Sequence, residues 1–319
     1  MYKILSFYNS NRRIIWTIIL GIILIIVLLQ ILNSNFKKKN SKVNTNNEIN
    51  SSSNTTIYPN NQENYLNNNY NSQEVKDEKL KIISSFLEKC NSGKIEEAYA
   101  LLTKDCKKEM FQNIEKFKNE YIDLVFNRTK TYDIKLWMSG KYDIYKICIY
   151  ENALAMGTTN VKNKIDSYYT VIEENNGYKI NINNFIAKEE LNTENINDYV
   201  KVNVISKRIY MDYEEYEIKI TNNTYKTILM DGYRKNNSIY LQDSVGTKKT
   251  AYINEIPERL LVINPLLSIT RTIKFNKSYT EKISSKGIIF EDMILDYDDY
   301  RQQENKQDYN NTSSINISV

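Results

Sequence analysis

The sequence predicts a membrane-anchored chain of several parts: a single transmembrane helix, an α+β domain of three helices and a four-stranded antiparallel sheet, and an all-β sandwich. Three observations carry that expectation. Residues Ile14 to Leu32 form a nineteen-residue run without a charge. The hydrophobic period changes from helical to two near residue 131. From residue 198 onward, short alternating segments recur at a spacing of about ten residues.

The first run reads IIWTIILGIILIIVLLQIL, and Thr17, Gly21 and Gln30 are its only interruptions. As an α-helix it spans about 28 Å, close to the apolar thickness of a bilayer. It is longer than the apolar region of a cleaved signal peptide, and no small-x-small site follows at Asn33-Ser34-Asn35. An uncleaved anchor over residues 14–32 is expected, with the lipid bilayer as its partner. Lys3, Arg12 and Arg13 precede the run, whereas Lys37, Lys38, Lys39 and Lys42 follow it. Counting alone favours a cytoplasmic bulk, but large domains translocate largely regardless of charge, and Arg12-Arg13 abut the helix start. The orientation adopted is a short cytoplasmic tail (1–13) with an extracellular bulk. On the inner side Lys37–Lys39 would meet anionic lipid, and on the outer side wall polymers.

Residues 33–75 are rich in Asn, Ser and Lys, as in NTNNEINSSSNTT. Such a segment cannot bury enough surface to offset its ordering entropy, so a disordered tether is expected. The tail over 302–319 has the same character and is expected to be disordered as well.

Between these segments, residues 76–190 form the α+β unit. Helical spacing relates Leu80, Ile83, Phe86 and Leu87, then Ile95, Ala98, Leu101 and Leu102, then Met110, Phe111, Ile114 and Phe117. Asn91-Ser92-Gly93 supplies a break after the first helix, with Gly93 as its C-cap. In TYDIKLWM, alternation puts Tyr132, Ile134, Leu136 and Met138 on one face and Asp133 on the other. YDIYKICIY, SYYTVIEE and YKININNF continue as strands, with turns at Gly140 and Asn175-Asn176-Gly177. Residues 198–297 contain no convincing helix. YEEYEIKI puts Tyr216, Ile218 and Ile220 inward with Glu215, Glu217 and Lys219 outward, and TYKTILMDG, SIYLQD, KKTAYINEI, RTIKFNK and GIIFEDMIL follow. That is the sequence sign of a β-sandwich.

Phe86–Phe111, FLEKCNSGKIEEAYALLTKDCKKEMF, resembles the helical opening of NTF2-like domains, and Gly177-Tyr178-Lys179-Ile180 running to Phe185 resembles their last hairpin. The resemblance covers about residues 76–190 and implies a curved sheet wrapped by helices into a cone with an apolar mouth. Residues 198–297 are similar to immunoglobulin-like domains of Gram-positive, clostridial-type surface proteins, notably in ITNNTYKTILMDG and IKFNKSYTEKISSKGIIFEDMILDY. They lack the Cys–Trp–Cys core of antibody domains.

Composition excludes several chemistries. The chain contains 0 His, which removes His-based zinc sites, Ser-His-Asp and Cys-His nucleophiles, and the ordinary proton shuttle near neutral pH. A net charge of +4 without a basic stripe gives no reason to expect nucleic acid. Of the cysteines, Cys90 closes the apolar stripe of the first helix and reads as a core residue, a Cys90–Cys106 disulfide is conceivable, and no CxxC motif is present. Glu291, Asp292, Asp296, Asp298 and Asp299 could hold calcium, but their spacing fits no EF-hand loop, and a solvated edge is the simpler reading. Asp133, Asp143, Asp166 and Glu173 are the acids available to a cone-based enzyme, and Tyr142, Tyr145, Tyr150, Tyr168 and Tyr169 could line a groove. Surface solvation and strand propensity account for both sets more simply. The expectation is therefore a non-catalytic surface protein displaying two binding or scaffold domains to a protein or cell-envelope partner. No catalytic, cofactor-binding or metal-binding residue is assigned, and no cofactor is expected. Two other readings stand beside it: a structural subunit of a conjugation or secretion complex, and a small-molecule binder or carboxylate enzyme using the cone.

Overall fold

The computed structural model describes residues 72–151, 164–175, 177–232, 238–252 and 258–319. All belong to one contiguous unit, residues 54–319. Helix α1, Ser72–Asn91, repeats apolar residues at helical spacing and buries Ile83, Phe86, Leu87 and Cys90 along one face. It stops where Gly93 turns left-handed at φ 70, with the Lys94 N–H donating to the Lys89 carbonyl at 2.9 Å. Helix α2, Ile95–Ala100, buries Ala98. Helix α3, Lys104–Glu109, starts at Thr103, whose hydroxyl accepts from the Cys106 N–H at 2.9 Å. Helix α4, Ile114–Phe117, is capped by Asn113 and runs through a π-helical turn, Lys118–Ile122, into α5, Asp123–Val125.

Four antiparallel strands follow in sheet order β1 (Lys130–Met138), β2 (Asp143–Glu151), β3 (Lys164–Glu174) and β4 (Gly177–Asn181). Their inner face meets the helices over an aromatic core. Phe86 stands edge-on to Tyr169 at 5.8 Å, and Phe117 stacks on Tyr121 at 5.6 Å. Tyr132 and Ile134 point inward as alternation requires. Leu136 does not, at 39% exposure, because a register shift between Leu136 and Met138 breaks the period.

The remaining strands build two sheets packed face to face. One has the order β12 (Ser268–Asn276), β7 (Tyr213–Asn222), β6 (Val200–Tyr210), β5 (Phe185–Ile196). The other contains β8 (Ile228–Leu229), β9 (Ile239–Asp243), β10 (Lys248–Thr250), β11 (Val262–Ile263), β13 (Ser285–Ile294) and β14 (Thr312–Ser318). Between them lie Val202, Val204, Tyr216, Ile218 and Phe275 from the first and Leu241, Ile288, Phe290, Ile315 and Ile317 from the second. The β5–β6 ribbon serves both halves. Phe185 and Tyr210 sit in the helix-covered core, Ile186, Ala187 and Ile209 in a small junction cluster with Ile144, and Val200 to Val204 in the sandwich.

Several expectations need correction. The chain is mostly β, and among the described residues no helix is long and apolar enough to cross a membrane. The long helix α1 carries Glu78, Lys79, Lys81, Glu88 and Lys89 within its span, and such a polar face has no place in lipid. The single-pass fold class, the membrane keywords and the placement with an extracellular bulk are therefore not retained. Ile14–Leu32 itself, and most of the tether, lie outside the described residues. Helix α1 begins at Ser72, so residues 72–75 of the expected tether are helical. The tail over 302–319 is ordered: β14 pairs with β13, and its alternate residues Ile315 and Ile317 are buried. Burial of that short alternating segment, SSINIS, offsets the ordering entropy that its Asn- and Ser-rich composition suggested would prevail.

Candidate functional site

Strand alternation places a charge on an inward position twice. In β7, Glu214 shares the parity of Tyr216 and Ile218, and beyond β12, Lys277 shares that of Ile273 and Phe275. Both end near full burial, at 3% and 7% exposure. Burial of a charge requires a partner, and these two supply one another: the Lys277 Nζ donates to Glu214 Oε1 at 2.9 Å. The other carboxylate oxygen accepts from the Tyr216 hydroxyl and the Ser285 hydroxyl, both at 2.6 Å.

This network forms the floor of a cleft of about 240 Å³ where the β1–β2 turn, the β5–β6–β7 strands and the 277–285 segment meet. Its rim is built around Glu189 on β5. That carboxylate accepts from Lys141 at 2.5 Å, from Lys207 at 3.0 Å and from the Tyr142 hydroxyl at 3.0 Å. Burial alone would push Glu189 up, but the hydrogen bonds and charges of Lys141 and Lys207 outweigh it and hold the carboxyl at about 2. Burial and the neighbouring Glu189 raise the Tyr142 hydroxyl. Burial, with Glu281 and Tyr142 nearby, pushes Tyr279 up to about 12. Both phenols stay protonated across the physiological range, so neither serves there as a base, and their rings lie 6.2 Å apart. Glu281 closes the rim by accepting the Lys141 backbone N–H at 2.6 Å.

A second set of charges lies on the other side of the ribbon. Glu109 at the end of α3 accepts from Arg208 Nε at 2.6 Å and from Lys188 Nζ at 3.1 Å, and burial is outweighed there too, so its carboxyl is held low. These pairs tie the helical layer to β5 and β6.

The acids considered from sequence do not converge. Asp133 accepts from the Tyr150 hydroxyl at 3.2 Å, Asp143 pairs with Lys79 and with Ser139, and Asp166 bridges Lys164 and Lys146 at 2.9 and 3.1 Å. The hydrogen bond from Lys164, followed by those from Cys148 and Lys146, holds Asp166 down at about 2. Glu173 is exposed. The tyrosines separate likewise: Tyr145 and Tyr169 are core residues, Tyr168 packs on Trp137 and Tyr142 joins the cleft. In the acidic stretch, Asp292 is buried, Asp296 caps helix α6 (Tyr297–Gln302) and binds Lys226 at 2.6 Å, and Glu291 pairs with Lys248. Among the described residues no group of three or more acids and cysteines could hold a metal ion. Cys90, Cys106 and Cys148 are free thiols. The cleft itself was missed from sequence, although one signal was present. The alternation that put Tyr216 inward also put Glu214 inward, and a charge at a core position calls for a partner.

No protein-family model, no curated protein and no solved structure matches this chain.

Proposed function

We propose that the chain is a non-catalytic binding or scaffold protein whose helix-covered sheet and β-sandwich work as one body, presented to a protein partner. The observation that carries this reading is the state of the cleft. Glu189 and Glu214 each already hold a lysine and a hydroxyl, so neither carboxylate is left to take a proton from a substrate. The absence of His from the sequence removes the other common base. The interior of the helix-covered layer is occupied by the rings of Phe86, Phe111, Phe117, Tyr121 and Tyr169, which weighs against a ligand-holding cone. The kinship with NTF2-like and immunoglobulin-like domains belongs to the same proposal, as does membership of a larger structural assembly.

Cross-linking of the full chain in its native cells, followed by mass spectrometry, tests the reading. A defined protein partner, recovered equally with wild-type protein and E189Q, supports it. A turnover by the purified protein that E189Q abolishes overturns it.

A further inference from the structure

Large apolar side chains gather at one end of the sandwich. Ile196 closes β5, Tyr199 lies in the turn from β5 to β6, Tyr225 in the connection from β7 to β8, and Leu266 and Leu267 in that from β11 to β12. All five are exposed, Tyr225 at 87%, Ile196 at 62% and each leucine at 56%. Backbone hydrogen bonds tie the three connections into one surface. The Asn223 N–H donates to the Tyr199 carbonyl at 2.8 Å, and the Leu266 N–H donates to the Thr224 carbonyl at 3.2 Å. Asn222, fully buried, fixes them further: its Nδ2 donates to the Lys226 and Ile263 carbonyls at 2.7 and 3.0 Å, and its Oδ1 accepts from the Thr224 N–H at 2.9 Å. The tips are therefore held in place before anything meets them, which lowers the ordering cost of a contact.

Leu266 is displayed against its own backbone preference. Asn264 to Leu267 form a turn closed by the Leu267 N–H on the Asn264 carbonyl at 3.2 Å, with Pro265 and Leu266 as its central residues. Leu266 adopts φ 58, the left-handed conformation that Gly or Asn ordinarily fills at this position of a turn. A bulky side chain there strains the backbone, and one left more than half exposed recovers little of that from packing within its own chain. An outward contact accounts for the leucine where the fold of the single chain does not.

We propose that these tips dock onto the same tips of a second copy of the chain. The five side chains expose an area on the order of 600 Å², as large as the largest patch on a typical monomer. Two such faces together bury on the order of 1,200 Å², which reaches the lower bound of a stable, specific interface. The charges suit this occupant. Asp198 and Lys226 are the charged residues of the tips, and Lys226 is paired with Asp296 at 2.6 Å. So sparse a field neither holds a second copy away nor supplies the attraction that an anionic surface would need. Both copies use the same patch, so the contact is isologous, closes as a dimer and does not propagate. It stands apart from the scaffold reading, which a monomer satisfies equally.

Sedimentation velocity of the full chain over a concentration series tests the contact. Wild-type protein is expected to show a monomer–dimer equilibrium. L266N replaces the apolar side chain with one that accepts the left-handed conformation, and Y225S removes the most exposed ring. Each should weaken dimerisation at least about tenfold, and the double variant should remain monomeric. Melted at a dilution where all forms are monomeric, L266N should unfold at no lower a temperature than wild type, because the strain is relieved. A lower melting temperature there would show that Leu266 serves its own fold, and it overturns the inference. So does a wild-type chain that stays monomeric at every concentration, or a dimer that neither substitution weakens. A monomer whose binding to phosphatidylcholine vesicles is lost in L266N would assign the tips to a lipid surface and overturn it as well.

Discussion

Removing the lysine from the cleft floor tests what the buried ion pair between β7 and the segment after β12 contributes to stability. In K277M the aliphatic stem is kept and the ammonium is lost, so Glu214 stays 3% exposed without its counter-charge. Breaking a buried pair in this way costs about 3–5 kcal/mol. The Tyr216 and Ser285 hydroxyls still donate to the carboxylate at 2.6 Å, and hydrogen bonds to a charge stabilise it. The cost should therefore fall at the lower end, about 3 kcal/mol, which lowers the melting temperature by roughly 6–12 °C at about 2–4 °C per kcal/mol. E214Q/K277M removes both charges and leaves a neutral amide that can accept the same two hydroxyls, so it should be less destabilised than the sum of its parts by about 2 kcal/mol. Calorimetry or circular dichroism melts of wild type, K277M, E214Q and the double variant complete the cycle. Additivity within about 0.5 kcal/mol would show that the pair carries no coupling and refute the reasoning.

Three further outcomes follow from the same geometry. Glu189 is held at about 2, below its ordinary 4.5, so its contribution to stability is present above pH 4.5 and is lost as the pH falls toward 2; the melting temperatures of wild type and E189Q should differ at pH 7 and converge near pH 2, and a constant gap would exclude this cause. A Cβ on Gly287 would lie 2.8 Å from Asn316 Oδ1 and 2.9 Å from the Ile317 carbonyl oxygen; G287A should cost about 1–3 kcal/mol and strip hydrogen-exchange protection from residues 312–318 first, whereas unchanged protection there would mean that β14 yields freely. Burial pushes the thiol of Cys106 up to about 12 and raises that of Cys90 as well, while Cys148 is only half-buried; alkylation of the native protein should label Cys148 alone, and early labelling of Cys90 would contradict the packing of α1.

How much of this was legible depends on the range of the interaction. Helical spacing identified Ile83, Phe86, Leu87 and Cys90 as one buried face, and period-two alternation identified Tyr132, Ile134, Tyr216, Ile218 and Ile220 as inward. Those assignments need only local geometry, because side-chain direction is fixed by the backbone repeat. They fail where the repeat is interrupted, as at the register shift that leaves Leu136 exposed. They were also overridden at the C-terminus, where composition favoured disorder and the β13 edge recruited residues 312–318 as a strand.

The sequence by itself determined which residues prefer burial, where helical periodicity gives way to strands, and that chemistry depending on His is absent. The tertiary structure alone decided what those strands meet. Glu214 and Lys277 are 63 residues apart in the chain, and Glu189 and Lys141 are 48 apart. No local pattern relates them, because a hydrogen bond or ion pair depends on separation in space, and that separation is set by how the β5–β6 ribbon threads both cores.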